Sequence, residues 1–334
     1  MVSRSSRATR AFLLRALLVA GAVVGTAAIG ACRSPVTRHA GAAMPPGVEA
    51  WSLLGDTLRA RALPAEERGR LERQLAEAEA ALRRAPTDAD SIIWVGRRLA
   101  YLGRHRDAIA TFTRGAELHP RDARFLRHRG HRYLTTRRLD AAIADLERAA
   151  ALVAGTPDQV EPDGQPNARG IPIGTLHSNI DYHLGLAHYL KGDFARAVPV
   201  YRREVAGASN DDRRVSASYW LYMSLRRLGQ EGEAAQLLAA IPGAMELLET
   251  GTYHRLLLLN RGALPADSLL APESGTGTLE NATAAYGVGA WHLYNGRPLE
   301  ARRTFERIVA GGQWESFGYL AAEAELARMR AMGS

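Results

Sequence analysis

Ile92 to Phe112 reads IIWVGRRLAYLGRHRDAIATF, and Leu126 to Leu146 reads LRHRGHRYLTTRRLDAAIADL. At a spacing of 34 residues Gly96 recurs as Gly130, Leu99 as Tyr133, Ala108 as Ala142, Ile109 as Ile143 and Phe112 as Leu146. A fixed period of this size marks a stacked array in which each unit buries its apolar face against the next. Pro86 precedes Pro120 by the same spacing, so the helix ending at Ala85 reads as the second half of an earlier, degenerate unit.

The frame Ile92-x2-Val95-Gly96-x2-Leu99, then Ala108-x3-Phe112, then Pro120 resembles the tetratricopeptide repeat. The resemblance implies an all-α fold, a right-handed α-solenoid of helix hairpins closed by a capping C-terminal helix. The solenoid is expected over 48–334, with clear repeats at 89–122, 123–156, 178–211 and 282–315 and a degenerate one at 215–247. Between Val48 and Ala62, Trp51, Leu54 and Leu58 share a helical face, which predicts a short helix covering the first unit. Met245 to Asn260 reads as a helix broken at Gly251, and Ser316 to Met332 as the final cap. Residues 155–176, GTPDQVEPDGQPNARGIPIGTL, hold four prolines and four glycines and form an insertion loop. Connections of that length are functional or disordered. Val160, Ile171, Ile173 and Leu176 are the side chains expected to pin it onto the repeat groove.

The net charge of +8 includes Arg4, Arg7, Arg10 and Arg15 near the N-terminus, so 8 minus 4 leaves +4 for the rest. Such a balance, in a chain with Lys191 as its one lysine, gives no argument for nucleic acid as partner. A single cysteine rules out an intramolecular disulfide or a four-cysteine zinc site. That cysteine follows a basic segment, an apolar run from Ala16 to Ala31 and the string Ile29-Gly30-Ala31-Cys32, which resembles a bacterial lipobox. By that resemblance 1–31 is a lipoprotein signal peptide, Cys32 is the acylated mature N-terminus and 32–47 is a flexible tether. The run of 16 residues is short for a membrane span, which needs about 17 to 25. The expected place is the bacterial cell envelope, lipid-anchored and facing the periplasm; Arg33 after the cysteine, by the enteric sorting rule, favours the outer membrane.

A lipobox followed by a mature chain of repeats also resembles the NlpI-like lipoproteins, with Trp220-Leu221-Tyr222 in a degenerate unit and Gly289 to Phe305 in a well-kept last one. This resemblance implies an adaptor and possible homodimer whose partners are envelope proteins or peptides, in that family a processing protease and peptidoglycan hydrolases.

Motifs for chemistry are sparse. His128 and His131 share a helix face, but arginines flank them and no third metal ligand is in view. Gly275-x-Gly277 and Gly287-x-Gly289 follow no strand and are not phosphate loops, and no G-x-S-x-G or H-E-x-x-H occurs. Neither a cofactor nor a catalytic residue is expected. By resemblance to tetratricopeptide repeats, the first helix of each pair lines a concave groove. That assigns to the groove Arg97, Tyr101, Arg124, Arg127, His131, Asn179, Tyr182, Tyr189, Tyr219, Arg226, Arg227, Tyr286 and Tyr294. Tyr and Arg are enriched at binding hot spots, and guanidinium groups grip carboxylates, so an extended acidic or carboxylate-terminated peptide is the expected ligand. Two alternatives stay open: a structural homodimer using the edge or convex surface, and an enzyme with a pocket of convergent titratable groups.

Overall fold

The computed structural model describes residues 44–269 and 279–332. The signal peptide, Cys32, most of the tether and Gly275-x-Gly277 lie outside the described residues. Thirteen α-helices follow one another among the described residues: α1 (Ala65–Arg84), α2 (Ala89–Tyr101), α3 (His105–Leu118), α4 (Ala123–Thr135), α5 (Leu139–Val153), α6 (Leu176–Lys191), α7 (Phe194–Gly207), α8 (Asp211–Arg227), α9 (Glu231–Ala239), α10 (Gly251–Asn260), α11 (Leu279–Tyr294), α12 (Pro298–Val309) and α13 (Phe317–Met332). They form an α-solenoid of helix hairpins, in which α2 to α8 each pack on the next in sequence.

Local chemistry starts these helices. Asp88, Asp122, Thr175, Asp193 and Asn210 each accept a backbone N–H of the following first turn. Such caps satisfy donors that the helix itself leaves unpaired. Inside four of the hairpins a glycine faces a large side chain 16 positions on: Gly96 and Phe112, Gly130 and Leu146, Gly185 and Tyr201, Gly289 and Phe305. A Cβ at these glycines would stand 2.4, 2.8, 2.6 and 2.6 Å from the facing side chain. The repeated glycine is therefore what lets the two helices approach.

The turn inside each hairpin needs one residue in the left-handed region. Gly103, Gly192, Gly229 and Gly296 supply it with φ between 69° and 87°, and Arg137 supplies it in the second repeat at φ 61°. A side chain there is strained unless its surroundings hold it. The Arg137 guanidinium is held: it donates to both the Thr135 carbonyl and Glu323 of α13, and both members of the ion pair are fully buried.

Two segments differ from the expectation. Residues 48–59 are a β-hairpin, β1 (Val48–Trp51) antiparallel to β2 (Thr57–Arg59), and not a helix. Burial alternates, with Val48, Ala50 and Leu58 inside and Thr57 and Arg59 outside, and Gly55 turns the chain at φ 101°. The period is two, which the helical spacing of Trp51, Leu54 and Leu58 concealed. Residues 245–250 are also irregular, and α10 begins at Gly251. There the Asp212 carboxylate accepts the N–H groups of Leu248, Glu249 and Thr250, so a side chain replaces the helical ladder.

The last helix does more than cover the final unit. α13 packs on α11 and α12 and crosses back to α6. Glu323 accepts the Leu53 N–H from the β-hairpin, and Trp314 donates to the Arg59 carbonyl at 2.7 Å. The first and last described elements are thereby joined to each other.

Candidate functional site

The helices α2, α4, α6 and α8 carry most of the expected residues in sequence, and the 155–176 segment lies across part of the face they build. The segment is seated by charge and main chain. Arg97 donates to the Pro162 carbonyl at 2.8 Å and Arg98 to the Gly164 carbonyl at 3.1 Å. The Glu161 carboxylate receives Arg127 at 2.7 Å and Asn179 at 2.5 Å. Its own backbone pairs with the residues that lead into α6, Glu161 N–H to the Gly174 carbonyl and Leu176 N–H to the Gln159 carbonyl. Gly164 passes so close to Tyr101 that a Cβ there would stand 2.1 Å from the phenol oxygen. The apolar residues do less than expected: Leu176 is buried as part of α6, but Val160 is 59 % and Ile171 42 % exposed.

Four guanidinium groups meet behind this segment. Arg127 is held by Glu161, and Arg213 by Glu204 at 2.5 Å. Arg97 leans over Trp94 and hydrogen-bonds the Tyr101 hydroxyl. Arg132 makes no side-chain hydrogen bond among the described residues, and burial first, then the fields of Arg127 and Arg97, bring its pKa down to about 10. Burial likewise lowers the pKa of Arg127, with Glu161 opposing and Arg97 and Arg213 adding to the effect. Glu161 and Glu204 are in direct contact with Arg127 and Arg213, Glu315 acts on Arg132 through its field, and Asp163 and Glu249 line the cleft beside Arg97. Clefts of about 210 and 180 Å³ flank Glu161, the first reaching Trp94 and Arg124, the second Arg213 and Glu249.

The expected residues divide into four groups. Arg97, Tyr101, Arg127 and Asn179 stand at the seated segment. Arg124 borders the first cleft and is clamped by Asp122 and Asp90 at 2.6 Å each. His131, Arg226, Arg227 and Tyr294 serve internal contacts: His131 lies against His183 and Phe317, Arg226 donates to the Tyr222 hydroxyl and the Tyr294 carbonyl, and Arg227 pairs with Glu325 of α13. Tyr182, Tyr189, Tyr219 and Tyr286 are interior residues and offer no surface to a ligand. The Tyr189 hydroxyl is bonded to that of Tyr286 at 2.6 Å, and Tyr182 accepts the Trp220 ring N–H at 3.0 Å. α8 is buried on nearly every side, so its sequence carries no direction from which a groove-facing side could be chosen. Arg132, Arg213 and Glu161 were not singled out from sequence; the signal available was a lone acidic residue in an otherwise uncharged stretch, Gln159 to Pro162, facing an arginine-rich α4.

Three histidines occupy the same interior. His128 accepts from Arg127 at 2.9 Å, His183 shares a hydrogen with the Asn179 carbonyl at 2.5 Å, and the His131 and His183 rings are 4.2 Å apart. Burial, with the fields of Arg127 and Arg132, holds all three pKa values well below 6.5. The unfolded chain therefore binds protons that the folded chain refuses, and stability present above pH 6.5 is lost as pH falls below it. Each histidine contributes a slope of up to about 1.4 kcal/mol per pH unit. Thermal unfolding at pH 7.5 and 5.0 should show a lower midpoint in acid, and His131→Asn should reduce the difference; equal midpoints would remove the histidines from the account. Among the described residues no group of three His, Cys, Asp or Glu is placed to hold a metal ion, and no helix is long and apolar enough to cross a membrane.

Comparison with known proteins adds the following. Residues 96–159 and 176–213 match the family model described as tetratricopeptide repeat. No curated protein matches the chain. Among solved structures the chain is similar to YrrB, a tetratricopeptide repeat protein with an unusual peptide-binding site, at 18% identity, 75% of this chain, 97% of that one and a TM-score of 0.40. It is similar to a tetratricopeptide repeat protein from Parabacteroides merdae at 15% identity, 78% and 94% coverage and a TM-score of 0.45. MamA is similar at 17% identity, 53% and 92% coverage and a TM-score of 0.40.

Proposed function

We propose that this chain, a tetratricopeptide-repeat protein by its match over residues 96–159 and 176–213, is a non-enzymatic scaffold of the bacterial cell envelope that holds a segment of a partner protein on its concave face. One observation carries this reading: the face already holds an extended segment, its own residues 159–164, through one carboxylate and two carbonyl oxygens. Contacts to main-chain oxygens serve any extended peptide, and the carboxylate contact selects among them. Cys32, at the end of the Ile29-Gly30-Ala31-Cys32 string, is the membrane attachment in this reading, and Arg33 supports the outer membrane as destination. Several acyl chains at about 0.8 kcal/mol per buried methylene hold a protein on a bilayer.

A second reading has an observation of its own. α13 covers His131, Arg227 and the C-terminal end of α6, so only part of the concave face remains for a partner, which favours the edge or convex surface of a structural homodimer. One experiment separates the readings. The full chain, tagged at its C-terminus and expressed in its own host, is fractionated, cross-linked and captured, with Cys32→Ser and Arg97→Ala alongside. The scaffold reading expects wild type in the envelope fraction with a protein partner that Arg97→Ala loses, and release of Cys32→Ser from the membrane. Recovery of a second copy as the one cross-linked species, unchanged by Arg97→Ala, would replace it with the homodimer.

A further inference from the structure

We propose that Glu161 is a resident occupant of a site for a carboxylate on an extended acidic peptide, and that a partner peptide takes the site by displacing the 155–176 segment. This rests on the scaffold reading and names both its ligand chemistry and its control.

The contacts describe a receptor more than a permanent strut. Arg127 and Asn179 both converge on one oxygen of Glu161, while the other oxygen is buried without a partner. The Nε atoms of Arg127 and Arg213 are also buried without partners. Buried polar groups in a settled interior are nearly always satisfied, because each orphan keeps its desolvation cost. A ligand with a second acceptor at this point would satisfy donors that Glu161 leaves idle. Arg132, which Glu161 does not reach, adds charge for the same kind of ligand.

The resident segment is also weakly held by other means. Val160 and Ile171 are exposed, so little apolar burial opposes its departure. Beyond Glu161 it is attached by single hydrogen bonds, from Arg97, Arg98 and Asn210 to the Pro162, Gly164 and Ile173 carbonyls, which any extended chain can accept, and from Asn167 to Glu249. The clefts on either side of Glu161 give a longer peptide room to continue in both directions. A chain that occupies its own site lowers the apparent affinity for a competitor by the fraction of molecules left open.

The probe is a labelled synthetic peptide of the chain's own residues 158–165, Asp-Gln-Val-Glu-Pro-Asp-Gly-Gln, with a second peptide carrying Gln in place of the Glu. Binding is followed by fluorescence anisotropy on the full chain and on Glu161→Gln, with helicity checked by circular dichroism. Glu161→Gln should bind the Glu peptide at least about tenfold more tightly than wild type does, prefer it to the Gln peptide by a similar factor, and lose that preference when Arg127→Gln is added. Equal binding by wild type and Glu161→Gln, or equal binding of the two peptides, overturns the proposal. If Glu161→Gln does not fold, wild type alone decides. The Glu peptide should speed protease cleavage within 155–176 and the Gln peptide should not; identical cleavage in both overturns it. Partner capture in the host that survives Glu161→Gln and Arg127→Gln unchanged ends this inference and leaves the scaffold reading standing; loss of all capture from wild type ends the scaffold reading instead.

Discussion

Glu323→Ala should lower the stability of the chain by about 3 to 5 kcal/mol, because it strands a buried guanidinium. Arg137 and Glu323 are 1 % and 0 % exposed at their side chains, and their nitrogen and oxygen stand 2.6 Å apart. Arg137 also lies over Trp314 and Tyr319, so its charge has no path to water. The Leu53 N–H would lose its acceptor in the same substitution. Replacing both partners should cost far less than replacing one, since no charge is then left behind. Arg137→Gly combined with Glu323→Leu is the informative double variant, as glycine also relieves the left-handed turn. Urea denaturation followed at 222 nm reads the effect as a shifted midpoint with the slope preserved. A loss below about 1 kcal/mol for Glu323→Ala would mean that α13 is held by its apolar side and that the pair is incidental.

Trp220→Ala should cost a similar amount, about 3 to 5 kcal/mol, by the different route of an unfilled core. The indole is 1 % exposed and has Tyr189, Tyr219 and Tyr286 around it, with ring centroids 5.1, 5.2 and 6.0 Å away. Its N–H is spent on Tyr182, whose hydroxyl keeps a second partner in Tyr253. Tyr189→Phe in the same cluster deletes only an oxygen and should cost about 0.5 to 1.5 kcal/mol. Side by side, the two variants separate packing from hydrogen bonding in one core. They also bear on ligand assays: a Tyr189→Ala variant that binds poorly has lost its interior, and no contact with a ligand needs to be invoked.

The repeats were legible because their grammar is short-range. A glycine and a ring 16 positions apart, a left-handed turn between them and an N-cap before them all fit within one unit, so each repetition restates the rule. Gly289 and Phe305 obey it as closely as Gly96 and Phe112 do. The tyrosines were misread where that grammar weakens. α6 and α8 are apolar around most of their circumference, and a helix buried on several sides gives no phase from which to choose a ligand-facing side. The β-hairpin was hidden because Trp51, Leu54 and Leu58 fall at helical spacing, while the residues it buries, Val48, Ala50 and Leu58, lie on two short strands. Ion pairs such as Arg137 with Glu323, 186 residues apart, leave no trace in any local pattern. The seated segment belongs to the same class, for its polar anchors come from α2, α4 and α6 while its apolar residues, the usual guide, face water.

The join between the β-hairpin and α13 bears on how such a chain can evolve. In an open array a unit can be duplicated or lost while only its neighbours adjust, and repeat number drifts between relatives. Here Leu53 and Glu323 meet across 270 residues of sequence, and Arg137, inside the second repeat, meets the same carboxylate. One unit added between Arg137 and Glu323 would carry α13 onward by the rise and rotation of a repeat, leaving both partners facing nothing. Selection on the pair would therefore be selection on length, and a relative that keeps both contacts is expected to keep the number of units between them.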